Sequence, residues 1–168
     1  KVSAVNPATT YDAGATPFDE WLDEAKTPVE SFEDALARLR RMGRRPDAVV
    51  AGQTPDAVRE ADRLIARRGI EVVRLGLTWF GQAGPLAGWR GDEALVQALS
   101  GLAFSFGEVE GTPTLAQASG IQVLGGATLF MAGLAALWGR KAATVDVSIL
   151  EAAMCFTELG PAAMASRP

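Results

Sequence analysis

The chain has 168 residues, 48% of them apolar, and a formal charge of -4. That is enough apolar material for one substantial core, and no net positive field is present to attract phosphates, so a single domain over residues 1–168 with no nucleic-acid partner is expected. The complete lack of histidine removes His-based triads, imidazole bases and the commonest zinc sites; Cys155 stands alone, which removes any internal disulfide. No metal site is expected, and nothing points to an oxidising compartment, so the expected location is cytoplasmic.

In chain order, residues 1–27 mix polar, proline and aromatic side chains, with a short helix expected over 18–25. Lys1 is not followed by a signal-peptide pattern, and a fragment of a longer protein is expected. Ser31 precedes Asp34 at capping-box spacing, and Phe32, Ala35, Leu36, Leu39 and Met42 then recur at helical intervals up to Gly43. The run "DAVVA" reads as a buried strand that ends at Gly52. Thr54 and Pro55 open a second helix, whose inward stripe is Ala57, Val58, Ala61, Leu64 and Ile65, before Gly69 stops it. "IEVVRLGLT" follows as strand.

Residues 78–91, "TWFGQAGPLAGWRG", hold four glycines, a proline and two tryptophans. Two large aromatic side chains leave apolar area in water unless the loop is packed or lines a ligand. Beyond it, Ala94, Leu95, Ala98, Leu99 and Leu102 form a helical stripe. The uncharged stretch 123–138 is 16 residues long, short of the roughly 20 that cross a bilayer, and is expected to be a buried helix with no membrane partner. In "TVDVSI", Val145, Val147 and Ile149 alternate as in a strand, and Ser148 with Glu151 repeats the capping-box spacing. This order implies an α/β fold: a mainly parallel Rossmann-like sheet with helices on both faces. Ligands of such sheets bind outside the carboxyl ends of the strands, where the glycine-rich loop lies.

The segment "FGQAGPLAGWRGDEALVQALSGLAFSFGEVEGTP" and, after a short gap, "GLAALWGRKAATVDVSILEAAM" resemble the family III CoA-transferases, a family that includes alpha-methylacyl-CoA racemase. The likeness spans residues 77–154 and is faint upstream, and it implies the N-terminal part of the family architecture. It also implies coenzyme A or an acyl-CoA as ligand, no covalently bound cofactor, and a CoA-ester cleft at Gly81, Gln82, Gly84, Trp89 and Asp92. In family transferases an aspartate near the start of the long apolar helix attacks the thioester. Counting without a gap between Glu108, Pro113 and "GLAAL" puts Gln122 at its position. In the racemase branch a histidine and an aspartate move the proton; their positions hold Asp92 and Gln122. The family tyrosine near the same helix start is also replaced, and the basic turn is shortened at 139–143. The catalytic set is thus expected to be degenerate. Family members form interlocked dimers, so self-association or a homologous catalytic segment or chain is the expected partnership.

Each residue also has a plainer reading. Asp92 and Glu93 are favoured by the dipole of the helix they open. Arg38, Arg40, Arg41, Arg44 and Arg45 sit near Glu33, Asp34 and Asp47 and read as a solvated helix end. Trp79 and Trp89 read as packing residues, Asp146 and Glu151 as supports of the strand exit and helix cap, and Cys155 as a small buried hydrophobe.

Overall fold

The computed structural model describes residues 32–44, 46–106, 111–116, 119–139 and 142–157. The helix expected over 18–25, Ser31, Arg45 and Glu108 lie outside the described residues. Two units are distinguished, Lys1–Pro46 and Asp47–Pro168.

In the first unit, helix α1 (Phe32–Arg41) has Glu33 and Asp34 in its first turn and Arg38, Arg40 and Arg41 in its last, as the helix dipole favours. It ends in a Schellman motif. Gly43 has φ 65°, its N–H donates to Arg40 O, and Arg44 N–H donates to Leu39 O.

The second unit begins with β1 (Ala48–Gln53) and helix α2 (Pro55–Arg67). Thr54 Oγ1 accepts from Ala57 N–H at 3.2 Å, and Val58 and Ile65 are buried, in keeping with the expected stripe. Strand β2 (Val73–Thr78) pairs in parallel with β1 on one side and β3 (Thr144–Ser148) on the other, so the three-stranded sheet has the order β1-β2-β3. Leu75 pairs with Val50 and Val145, and Thr78 with Gln53 and Ser148.

Strand periodicity then divides β2 between two helices. Arg74 and Gly76 point toward α2, where Arg74 meets Asp62 at 3.7 Å and a Cβ on Gly76 would lie 3.1 Å from Val58. Leu75 and Leu77 point toward α5 (Gly120–Trp138), which lies on the opposite face. The α/β architecture with helices on both faces is therefore as expected. Val73, Leu75, Leu129 and Val147 form one core cluster. Phe80, Val96, Ile121, Ile149 and Ala153 form the other, at the carboxyl end of the strands.

Four expectations need correction. The stripe at 94–102 forms two short helices, α3 (Glu93–Leu99) and α4 (Leu102–Ser105), broken where Gly101 takes φ 81°. Helix α3 also buries Val96 and Gln97 and leaves Ala94, Ala98 and Leu99 exposed. Gln97 can turn inward because its amide pairs with one peptide unit, donating to Ala116 O at 3.2 Å and accepting from Ala116 N–H at 2.7 Å. Helix α5 is not buried. Only Ile121, Gly125, Leu129 and Gly133 of this helix are enclosed, because one sheet face covers one side of it and, among the described residues, the other side is left largely exposed. Finally, Cys155 is exposed in the short 3₁₀ turn Cys155–Thr157 that ends helix α6 (Ile149–Met154).

Candidate functional site

The loop at 79–91 leaves the carboxyl end of β2, and its first residues are fixed by atoms far away in sequence. Leu150 N–H donates to Trp79 O at 3.0 Å, and Ser148 Oγ donates to the same oxygen at 3.5 Å. Gln82 N–H donates to Asp146 Oδ2 at 3.2 Å. The Gln82 side chain lies back over the sheet in space that Gly76 leaves open; a Cβ there would come within 3.1 Å of Gln82 Nε2. Gly81 and Gly84 have φ values of 82° and 98°, which side-chain-bearing residues rarely adopt, so both are required by the backbone whether or not a ligand is present.

The two tryptophans have different surroundings. Trp79 is partly buried and lies directly over Gly91, where any Cβ would overlap its ring. Trp89 stays 55% exposed and touches Phe80 edge-on, with ring centroids 6.4 Å apart. Phe80 and Leu86 anchor the loop in the core, which accounts for most of its apolar content.

At the far end of the loop two helix N-termini converge. Asp92 is the N-cap of α3 and accepts from Leu95 N–H at 2.8 Å. Its neighbour Glu93 reaches across to α5: Oε1 accepts from Ile121 N–H at 2.6 Å and Oε2 from Gln122 N–H at 3.3 Å. One carboxylate therefore supplies the N-terminal cap that Ser119 does not provide, since Ser119 makes no side-chain cap bond. Gln122 is exposed and sits where these N-termini meet. Nothing in the sequence signals the Glu93 link across 28 residues, and Gln97 was equally hidden as a polar residue beside an apolar stripe.

Ser148 Oγ accepts from Glu151 N–H at 3.3 Å, so the expected cap of α6 is present. Thr78 is fully buried, and its Oγ1 has no hydrogen-bond partner among the described residues, a cost of about 1–3 kcal/mol. No group of three or more His, Cys, Asp or Glu side chains among the described residues is placed to hold a metal ion. A shallow hollow between α2 and the sheet, lined by Val58, Ala61, Ile65 and Gly76, lies away from Gln122. The charged groups there, Asp62 and Arg74, face each other, so it is a packing gap.

With this geometry in place, comparison with known proteins decides the family. The sequence profile of CoA-transferase family III matches residues 32–166. The chain belongs to CoA-transferase family III. The family match begins well upstream of residue 77, where α1, β1 and α2 carry a general βαβ pattern without distinctive motifs. Acetyl-CoA:oxalate CoA-transferase of Acetobacter aceti is 34% identical over 84 residues, 47% of this chain and 22% of that protein. A CAIB/BAIF family protein from Brucella suis superposes with a TM-score of 0.69 at 19% identity, over 84% of this chain and 40% of the other. Rv3272 from M. tuberculosis gives 0.66 at 23% identity, over 84% and 42%. The matches thus span less than half the length of each of these proteins.

Proposed function

We propose that this chain is an accessory, non-catalytic CoA-transferase-like domain that keeps the scaffold of a CoA-ester cleft and does not transfer CoA by itself. Gln122 carries the reading. At its position the family resemblance implies an aspartate whose oxygen attacks the thioester carbonyl, expels CoA thiolate and forms an acyl–aspartyl anhydride. Return of the thiolate to the aspartyl carbonyl then releases the acyl carboxylate and leaves an enzyme-bound CoA thioester. A primary amide is neither an anionic nucleophile nor a comparable leaving group. Glu93 is the carboxylate beside Gln122, but both its oxygens already accept helix N–H groups, which ties them to a structural role.

The ligand class is a CoA thioester lying along Gly81, Gln82, Gly84, Trp89 and Asp92. Because Asp92 holds the Leu95 N–H, the start of α3 is not an open anion site, and the CoA phosphates belong elsewhere. A second reading, an active transferase whose carboxylate comes from another segment or chain, is favoured by the match covering only 22% of the Acetobacter relative. A third, a structural assembly domain, is favoured by a loop whose first residues are held by the chain's own hydrogen bonds.

Hydroxylamine trapping and mass spectrometry test the reading. Acetyl-CoA and oxalate, the pair named for the Acetobacter relative, are the first substrates. The expected result is no acyl or CoA adduct on the protein, and none at turnover-competent rates after Gln122→Asp. An adduct formed by the unaltered chain at such rates overturns the proposal.

A further inference from the structure

We infer that the arginine cluster at the end of α1 is a binding surface for a compact polyphosphate anion, held by Arg38, Arg40, Arg41 and Arg44. The surface belongs to the first unit alone and acts whether or not the loop at 79–91 binds CoA.

The stretch 38–45, "RLRRMGRR", carries five of the chain's 16 basic side chains, and the four in the described part of it are all exposed. None of the four is ion-paired with a carboxylate among the described residues, although Glu33 and Asp34 stand in the first turn of the same helix. Three arginines of the second unit differ in this respect: Arg59 meets Asp56 at 2.8 Å, Arg63 meets Glu60 at 3.3 Å and Arg74 meets Asp62 at 3.7 Å. At about 100° per residue Arg41 lies on the side of α1 away from Leu36 and Leu39, its buried and half-buried leucines, with Arg38 about 60° and Arg40 about 100° to either side.

The guanidinium groups are not needed to cap the helix. The carbonyls of Arg38, Leu39 and Arg40 already accept from the backbone N–H groups of Met42, Gly43 and Arg44. The dipole at a helix C-terminus amounts to about half a charge, so it balances only a fraction of this cluster. Arg38 and Arg41, three positions apart on one helix face, repel each other while no anion lies between them.

Charge density selects the ligand. Arg38 to Arg44 corresponds to at most about 9 Å of helix rise. An extended peptide places side chains of one face about 7 Å apart, and a helical one places neighbours about 5–6 Å apart, so either brings about two carboxylates to that span. A chain of three phosphates brings roughly four negative charges to it, and its oxygens accept the paired N–H groups of a guanidinium fork. Length counts against a polymer. With these five arginines set aside, 11 basic side chains of the 16 remain against 20 acidic ones, so a long polyanion such as duplex DNA meets a repulsive remainder that a small anion avoids.

Titration calorimetry of the full chain with inorganic tripolyphosphate at about 10 mM ionic strength, where the Debye length is about 30 Å, should show saturable binding that weakens more than about tenfold at 1 M salt, where that length is about 3 Å. Arg40→Gln combined with Arg41→Gln should weaken it about tenfold, roughly threefold for each exposed charge pair lost, with the far-UV circular dichroism unchanged. Arg59→Gln combined with Arg63→Gln removes the same charge from arginines that already have partners, and should leave the affinity within about twofold. ATP, which carries the same phosphate chain on a nucleoside, should bind about as well as tripolyphosphate, because the surface reads the phosphates alone. No saturable binding of tripolyphosphate, equal losses in the two double variants, much tighter binding of ATP than of tripolyphosphate, or tighter binding of polyglutamate or duplex DNA at equal charge concentration would each overturn the inference.

Discussion

Glu93 shows how little of a side chain's role is visible in its own sequence neighbourhood. As a helix-opening acid beside Asp92 it reads as a dipole partner of its own helix, and Asp92 does serve α3 in that way. Glu93 instead joins two helices by accepting from Ile121 and Gln122, a link made legible only by the fold. Glu93→Ala leaves both N–H groups without that acceptor and should cost about 2 kcal/mol, with Glu93→Gln costing less because one amide oxygen remains. Chemical denaturation of the two variants checks the order; a Glu93→Ala protein as stable as the parent would mean that water replaces the carboxylate. The residues that sequence did place correctly, Thr54, Asp92 and Ser148, all bond within three positions, where local spacing carries the information. Cys155 was misplaced because burial of a single thiol depends on what packs over it, which no local pattern records.

At the scale of elements, periodicity found the strands and most helices, but it could not tell a helix covered on one side from one enclosed on both. Helix α5 is apolar all round, so its pattern has no polar face from which to read orientation. Its glycines supply the missing information. A Cβ on Gly125 would lie 2.9 Å from Ile149, whereas one on Gly126 would meet nothing within 4 Å. Gly125→Ala should therefore push α5 off the β3–α6 junction and destabilise by about 1–3 kcal/mol. Gly126→Ala, one residue away, should stabilise by about 0.5–1 kcal/mol through helix propensity alone. Thermal unfolding of both variants would show midpoints moving in opposite directions; equal shifts would mean that α5 does not pack on the sheet through this stripe. The same kind of local conformational demand breaks the predicted helix at Gly101, where a stripe of apolar residues continues but the backbone does not.

For the molecule as a whole, alternating strands and helices were enough to imply a parallel α/β sheet, and the motifs at 77–154 were enough to imply the family. The site was only partly legible, because the sequence order puts the loop at the strand ends but does not say which of its residues are committed to holding it together. Gly81 and Gly84 have left-handed backbone, Gly91 lies under Trp79, Gln82 is bonded to Asp146, and Asp92 caps a helix. Among the residues the scaffold leaves exposed are Trp89, Gln122 and the rim at Ala83, Gly84 and Pro85. If that rim binds a CoA thioester, saturable quenching or enhancement of tryptophan fluorescence should accompany titration with acetyl-CoA and should be lost in Trp89→Phe, while Trp138→Phe, remote on the outer face of α5, should retain it. Affinity should be modest, because part of a family architecture offers fewer contacts and so leaves a smaller surplus over the entropy of association. Pantetheine and ADP as separate titrants distinguish recognition of the thioester arm from attraction of phosphate. A saturable response to acetyl-CoA and pantetheine supports the cleft; a response to ADP alone would put binding elsewhere on the surface. No response to any of the three would leave the loop as architecture that outlasted its chemistry, and would favour the assembly-domain reading.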